Sequence, residues 1–259
     1  MSDTQADIAA LNQSMRQRTE GAGRVTEEAL ARFVGRQDDL GGTLTGLRFD
    51  PAARKAGMSS GTSLFEVDLR GDDGALRQRR LVFRYDLGGA FFYQYDLVAQ
   101  FRIMQSLNRA GFPAPVALWL DAAGEIAGRP GLVMERIEAQ APSSAPFVEG
   151  PLMAASAGER REMLLAIMRL IGRLHALPVE DLGLDFLKTR GDGAHFIDRE
   201  IDWITKELLH AVPPSADGER HAFYEEVRGT LLGIRDRLVR LAPRHRAPEL
   251  THGDPMVTN

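Results

Sequence analysis

The spacing of apolar residues changes partway along this chain, and that change limits the folds open to it. From Leu44 to Phe49, and more clearly in Ser63-Leu-Phe-Glu-Val-Asp-Leu69, apolar and polar residues alternate one for one. A period of two puts the apolar residues on one face of an extended strand. Gly71-Asp72-Asp73-Gly74 is a strong turn signal, and Arg80-Leu81-Val82-Phe83-Arg84 resumes as a strand. Residues 43–86 therefore read as an antiparallel, hairpin-rich sheet. After Ser156 the period becomes helical. Ser156 stands three residues before Glu159, a capping-box arrangement, and the helix it opens is predicted to reach Leu177. Met163, Ile167, Ile171 and Leu174 are expected on its buried stripe. Residues 195–210 and 217–241 read as two further helices.

The remaining segments fit around these. Thr26 is a candidate N-cap for a helix in Thr-Glu-Glu-Ala-Leu-Ala-Arg-Phe-Val, with Leu30, Phe33 and Val34 on one face. Residues 97–110 have helical spacing and end at Gly111, with Pro113 just beyond. Residues 116–120 and 131–137 are short apolar runs expected as strands, and a Pro/Ser/Ala-rich connection occupies 139–158. The chain divides into a polar N-terminal extension (1–25), a β-rich lobe (26–138) and a helical lobe (139–259). That is an α+β plan with a cleft between the two lobes.

Composition narrows the function. A formal net charge of −4 gives no reason to expect a nucleic-acid partner, which usually demands a basic surface. The chain has no cysteine, so it forms no disulfide or thiolate metal site. The N-terminus has no apolar core of a signal peptide, and no stretch reaches the roughly 18 apolar residues of a membrane helix. A soluble, cytoplasmic protein without a membrane partner is expected.

Four stretches could carry chemistry. Gly57-Met58-Ser59-Ser60-Gly61-Thr62 lies between two expected strands, where consecutive N–H groups and small hydroxyls can cradle phosphate oxygens. A plain hairpin turn would use the same residues. Arg84 ends a strand, where a guanidinium can neutralise phosphate charge bidentately or simply face solvent. Val133-Met134-Glu135-Arg136-Ile137 is an apolar strand running into a lobe connection, and its backbone could meet the edge of a base or serve only the core. The most specific is Thr251-His-Gly-Asp-Pro-Met-Val-Thr-Asn259. In kinase-type loops an Asp followed five residues later by Asn supplies a base for a hydroxyl and an oxygen ligand for Mg²⁺. His175 is expected to be a packed structural histidine, and the histidines at 195, 210, 221 and 245 lack metal-ligand spacing. Arg77-Gln78-Arg79-Arg80 reads as a solvated strand edge. No GxxxxGK[ST] phosphate loop or Gly-x-Ser-x-Gly elbow occurs.

In this order, over residues 26 to 259, the pieces resemble the aminoglycoside phosphotransferase/choline kinase-like family of small-molecule kinases with a protein-kinase-like fold. Within it the chain is most similar to bacterial phosphotransferases like the kinase domain joined to some acyl-CoA dehydrogenases. The resemblance implies ATP and Mg²⁺ as cofactors and a small-molecule hydroxyl as acceptor: an aminoglycoside, an amino alcohol or a hydroxyacyl compound. It implies phosphate contacts from Gly57, Ser59, Ser60 and Thr62, a phosphate cation at Arg84, and adenine-facing backbone at Glu135 and Ile137. Asp254 is the implied base and Asn259 a magnesium ligand. Where the family usually carries a Glu partner for the strand cation, this chain has Gln100, which can hydrogen-bond Arg84 without countering its charge. The family's second magnesium-binding acid follows the Asn by some residues, so the chain is expected to be a fragment with little activity of its own. A non-enzymatic, pseudokinase-like nucleotide-binding module is the alternative.

Overall fold

The computed structural model describes residues 25–56, 60–87, 96–139, 148–189, 191–211, 218–244 and 249–251. A helix α1 (Glu27–Val34) precedes strands β1 (Thr43–Ala56), β2 (Ser60–Arg70) and β3 (Leu76–Asp86). Helix α2 (Leu97–Arg109), strands β4 (Ala117–Asp121) and β5 (Gly131–Glu135), and a short turn of helix α3 (Pro151–Ala154) follow. Helices α4 (Ala157–His175), α5 (Phe196–Ala211) and α6 (Gly218–Leu241) complete the described elements, with two 3₁₀ turns, Val179–Leu182 and Asp185–Thr189, between α4 and α5. The architecture is the α+β plan implied by the change of period. A five-stranded antiparallel sheet in the order β1-β2-β3-β5-β4 precedes a helical part.

The alternation in the sequence becomes two chemically different faces. Phe65, Val67 and Leu69 of β2 and Leu81 and Phe83 of β3 are fully buried on one face, with Trp119 and Val133. Helix α1 covers them with Leu30, Phe33 and Val34. Its start is fixed by the Thr26 hydroxyl, which accepts a hydrogen bond from the Ala29 N–H at 3.1 Å. On the opposite face, α2 lays Leu97 and Phe101 against Leu132 and Ala117. The Asp96 carboxylate caps α2 by accepting from the Ala99 N–H at 2.9 Å. Strand β3 therefore lies at the centre of the sheet, under α1 on one face, while α2 covers β4 and β5 on the other.

The reading of Arg77–Arg80 as a solvated strand edge holds, because β5 pairs β3 only from Leu81 to Tyr85 and Arg77, Gln78 and Arg80 are exposed. Glu66 and Arg80 are cross-strand partners, as are Asp68 and Gln78. Arg80 Nε lies 3.1 Å from Glu66, and Gln78 donates to Asp68 at 3.1 Å. Along this exposed half of the β2–β3 ladder, opposite charges face each other across the strands. Arg79 points to the other face, where it bonds the Leu40 carbonyl and Glu135 and lies over the Trp119 ring.

Two expectations for the helical part are corrected. Helix α4 exposes Met163 and keeps Ile167 and Ile171 only half-buried; of its expected stripe, Leu174 alone is buried. A period of 3.6 says which face of a helix is apolar, but not whether another element covers it. His175, the last residue of α4, is exposed rather than packed. The helix does begin as expected. Ser156 Oγ accepts from the Glu159 N–H at 3.3 Å, while the Glu159 carboxylate accepts from the Ser156 N–H at 2.8 Å and hydroxyl at 2.7 Å.

The Ser156 hydroxyl, and then its backbone N–H, hold the Glu159 carboxyl below the usual range. A carboxyl lowered by folding contributes stability above its unfolded pKa, about 4.3. That contribution disappears as pH falls through the lower folded value. Circular-dichroism melts of the wild type and Glu159→Gln are expected to differ at pH 7. The two should converge in the window below about pH 4.

Candidate functional site

Counting in twos along β2 and β3 from the buried aromatics fixes which residues face away from α1. They are Thr62 and Leu64 on β2 and Val82 and Arg84 on β3, with Thr62 the direct cross-strand partner of Arg84. Met134 of β5 pairs with Val82 and joins them. A cavity of about 360 Å³ opens here, with Thr62, Leu64, Val82, Pro115, Met134 and Ile137 in its lining. Its size lies within the usual range for small-molecule sites, about 300–1,000 Å³. The walls are apolar where strand side chains meet it.

The polar groups at this cavity are few and placed by the backbone. The Glu135 side chain turns to the α1 face and bonds Arg79, with Nη2 to Oε1 at 3.2 Å. Only the Glu135 main chain therefore borders the cavity, and its N–H already donates to the Val116 carbonyl at 2.9 Å. Ile137 differs. It lies just past the end of β5, and among the described residues its N–H and C=O carry no hydrogen bond. An unpaired peptide beside an apolar slot can read the donor–acceptor edge of a flat heterocycle.

Along the same strands, Arg84 Nε donates to Ser60 Oγ at 2.8 Å. Ser60 is buried and opens β2, immediately after the 57–59 connection. Among the described residues no carboxylate pairs with Arg84, and its two Nη groups are left for another acceptor. Gln100 lies half-buried on α2, and Arg84 bonds Ser60 instead of it. The end of this hairpin is also sterically fixed. A Cβ at Gly61 would fall 2.2 Å from the Tyr85 ring, so the ring lies directly on the glycine backbone.

The structure thus brings Ser60, Thr62, Arg84 and the backbone of Glu135 and Ile137 to one sheet face. Gly57, Ser59, Asp254 and Asn259 lie outside the described residues. Among the described residues no group of His, Asp or Glu could hold a metal ion, and none of the helices is long and apolar enough to cross a membrane. Sequence reasoning missed the apolar walls Leu64, Val82, Pro115 and Met134. The signal for two of them was present: Leu64 lies two residues from Thr62, and Val82 two residues from Arg84.

The sequence model described as the phosphotransferase enzyme family matches residues 69–259. Among curated proteins, acyl-CoA dehydrogenase family member 10 of Mus musculus is 25% identical over 185 residues. That match covers 69% of this chain and 15% of the mouse protein. Among solved structures, a Ralstonia eutropha protein described as an aminoglycoside phosphotransferase aligns with a TM-score of 0.44 at 20% identity. It covers 72% of this chain and 48% of the other.

Proposed function

This chain belongs to the phosphotransferase enzyme family, and from that premise we propose that it is an ATP-dependent kinase of a small-molecule hydroxyl, working in the cytoplasm. The observation that carries the reading is the cavity on the sheet face of β2, β3 and β5. It offers apolar walls for a base, an unpaired Ile137 peptide at the base edge, and Arg84 farther along the same strands. Leu64, Val82 and Met134, side by side on one sheet face, would form the wall against which the adenine stacks. Arg84, steered by Ser60, would present its Nη groups to the phosphates, where a charge-assisted bidentate contact is strongest.

Asp254 would accept the proton of the acceptor hydroxyl as that oxygen attacks the γ-phosphorus. The bond from the γ-phosphorus to the β–γ bridging oxygen then breaks and ADP leaves. Such a loose transition state needs positioning and charge neutralisation more than covalent help. Asn259 would be a ligand for Mg²⁺, whose chemistry is to neutralise charge on the phosphate oxygens. The acceptor class is an aminoglycoside-like compound, an amino alcohol or a hydroxyacyl compound.

ATP with Mg²⁺ is expected to raise the melting temperature, since a ligand specific to the native state must stabilise it. Arg84→Ala is expected to weaken nucleotide binding about ten- to a hundredfold, the value of a charge-assisted contact. Unchanged melting at saturating ATP·Mg²⁺ would remove the nucleotide reading. Binding without turnover would instead favour the non-enzymatic nucleotide-binding module, a reading supported by the lack of a carboxylate partner for Arg84 among the described residues.

A further inference from the structure

Residues 136–139 leave β5 and form one wall of the cavity, yet little backbone bonding holds them there. The Arg136 N–H donates to the Arg80 carbonyl at 3.1 Å, and Ile137 adds no hydrogen bond among the described residues. Side chains hold this wall instead. Arg136 Nη1 lies 2.7 Å from the Asp50 carboxylate, and its Nε lies 3.5 Å from Glu138. Glu138 reaches Arg80 at 3.1 Å, Arg80 reaches Glu66 at 3.1 Å, and Glu66 reaches Arg48 at 2.8 Å. Arg48 and Asp50 are both on β1, so the chain of alternating charges closes on itself through that strand.

Three members of this ring, Arg48, Arg80 and Glu138, are about half exposed, and exposed pairs are worth little singly. The Asp50–Arg136 contact is the sheltered one, with side chains 20% and 24% exposed, so solvent and salt screen it less. Its position matters more than its strength. Strand β1 runs directly into the 57–59 connection, and Arg136 immediately precedes Ile137. One contact therefore ties the strand that carries the glycine-serine hairpin to the wall that carries the unpaired peptide.

We propose that Asp50 and Arg136 are a positioning pair that fixes the distance between the base-binding wall and the phosphate-binding hairpin. This rests on the nucleotide reading of the cavity. The pair acts through Ile137 and the β1–β2 hairpin, and neither side chain has to touch the phosphates. A ligand gripped at both ends binds best when the two grips are already spaced for it.

The test is a titration of the whole chain with mant-ADP and Mg²⁺. Asp50→Asn and Arg136→Gln are each expected to weaken Kd about three- to tenfold, as for a partly sheltered charge pair. The double variant Asp50→Arg/Arg136→Asp should recover most of that loss. Arg36→Gln, which breaks the remote 2.6 Å pair with Glu125, should leave Kd unchanged. Hydrogen exchange over 136–139 in the ligand-free protein should quicken in both single variants and stay as in the wild type in Arg36→Gln. Wild-type Kd in both single variants, or no recovery in the swapped pair, would overturn the pairing. A wild-type chain that takes up no mant-ADP would overturn the nucleotide reading itself, and this proposal with it.

Discussion

Phe83→Ala is expected to lower the unfolding free energy by about 3–5 kcal/mol, a large share of the 5–15 kcal/mol typical of a domain. The side chain is completely buried at the centre of the sheet. Its ring stacks on Tyr85, with centroids 5.3 Å apart and planes inclined by 13°. It also lies over Gly131 of β5, where a built Cβ would fall 2.5 Å from the ring. The glycine therefore has no side chain of its own to move into the void, and a strand paired on both sides cannot shift without disturbing its neighbours. Urea unfolding followed by circular dichroism should show a lower midpoint with little change in slope. Phe83→Leu should cost less, since it keeps most of the volume. A loss below about 1 kcal/mol would mean that this face is not the core that holds the sheet together.

Asp254→Ala is expected to reduce phosphoryl transfer about 10²- to 10⁴-fold, the usual contribution of a positioned base. The family match extends through this loop to residue 259, and His252-Gly253-Asp254 with Asn259 is the most specific motif in the chain. The loss should fall on kcat, with the KM for ATP little changed, because the proposed base would act on the acceptor hydroxyl and not on the nucleotide. Asp254→Asn should fail in the same way, as it keeps the shape and removes the basicity. The measurement is steady-state ADP release with Mg²⁺ and a panel of aminoglycoside, amino-alcohol and hydroxyacyl acceptors. Turnover that survives Asp254→Ala would sink the kinase assignment while leaving nucleotide binding intact.

The sheet was legible because its signals are local. The alternation in 63–69 and 80–84 and the Gly71–Gly74 turn marked two strands and the hairpin between them, and Thr26 and Ser156 marked two helix starts that the structure reproduces. What escaped was set by distant partners. Nothing local in Leu81–Tyr85 announced that this half of β3 would also pair with β5, some fifty residues later in the chain. The α4 stripe showed which residues are apolar but not that Met163 and Leu164 would stay exposed. At the site, Arg84 and Thr62 were picked out as residue types, and the structure places them as cross-strand partners on one face. The hydrogen bond from Arg84 to Ser60 and the Asp50–Arg136 contact depend on register, which no local pattern states.

The two-sided character of β3 bears on how such a protein could change its activity over time. Leu81 and Phe83 answer to volume, while Val82 and Arg84, one step away, answer to whatever occupies the cavity. Selection can therefore revise the ligand-facing residues without touching the ones that keep the protein folded, though both are written in the same five-residue stretch. Variation should follow the same rhythm, with drift in size tolerated least at odd positions and drift in chemistry least at even ones.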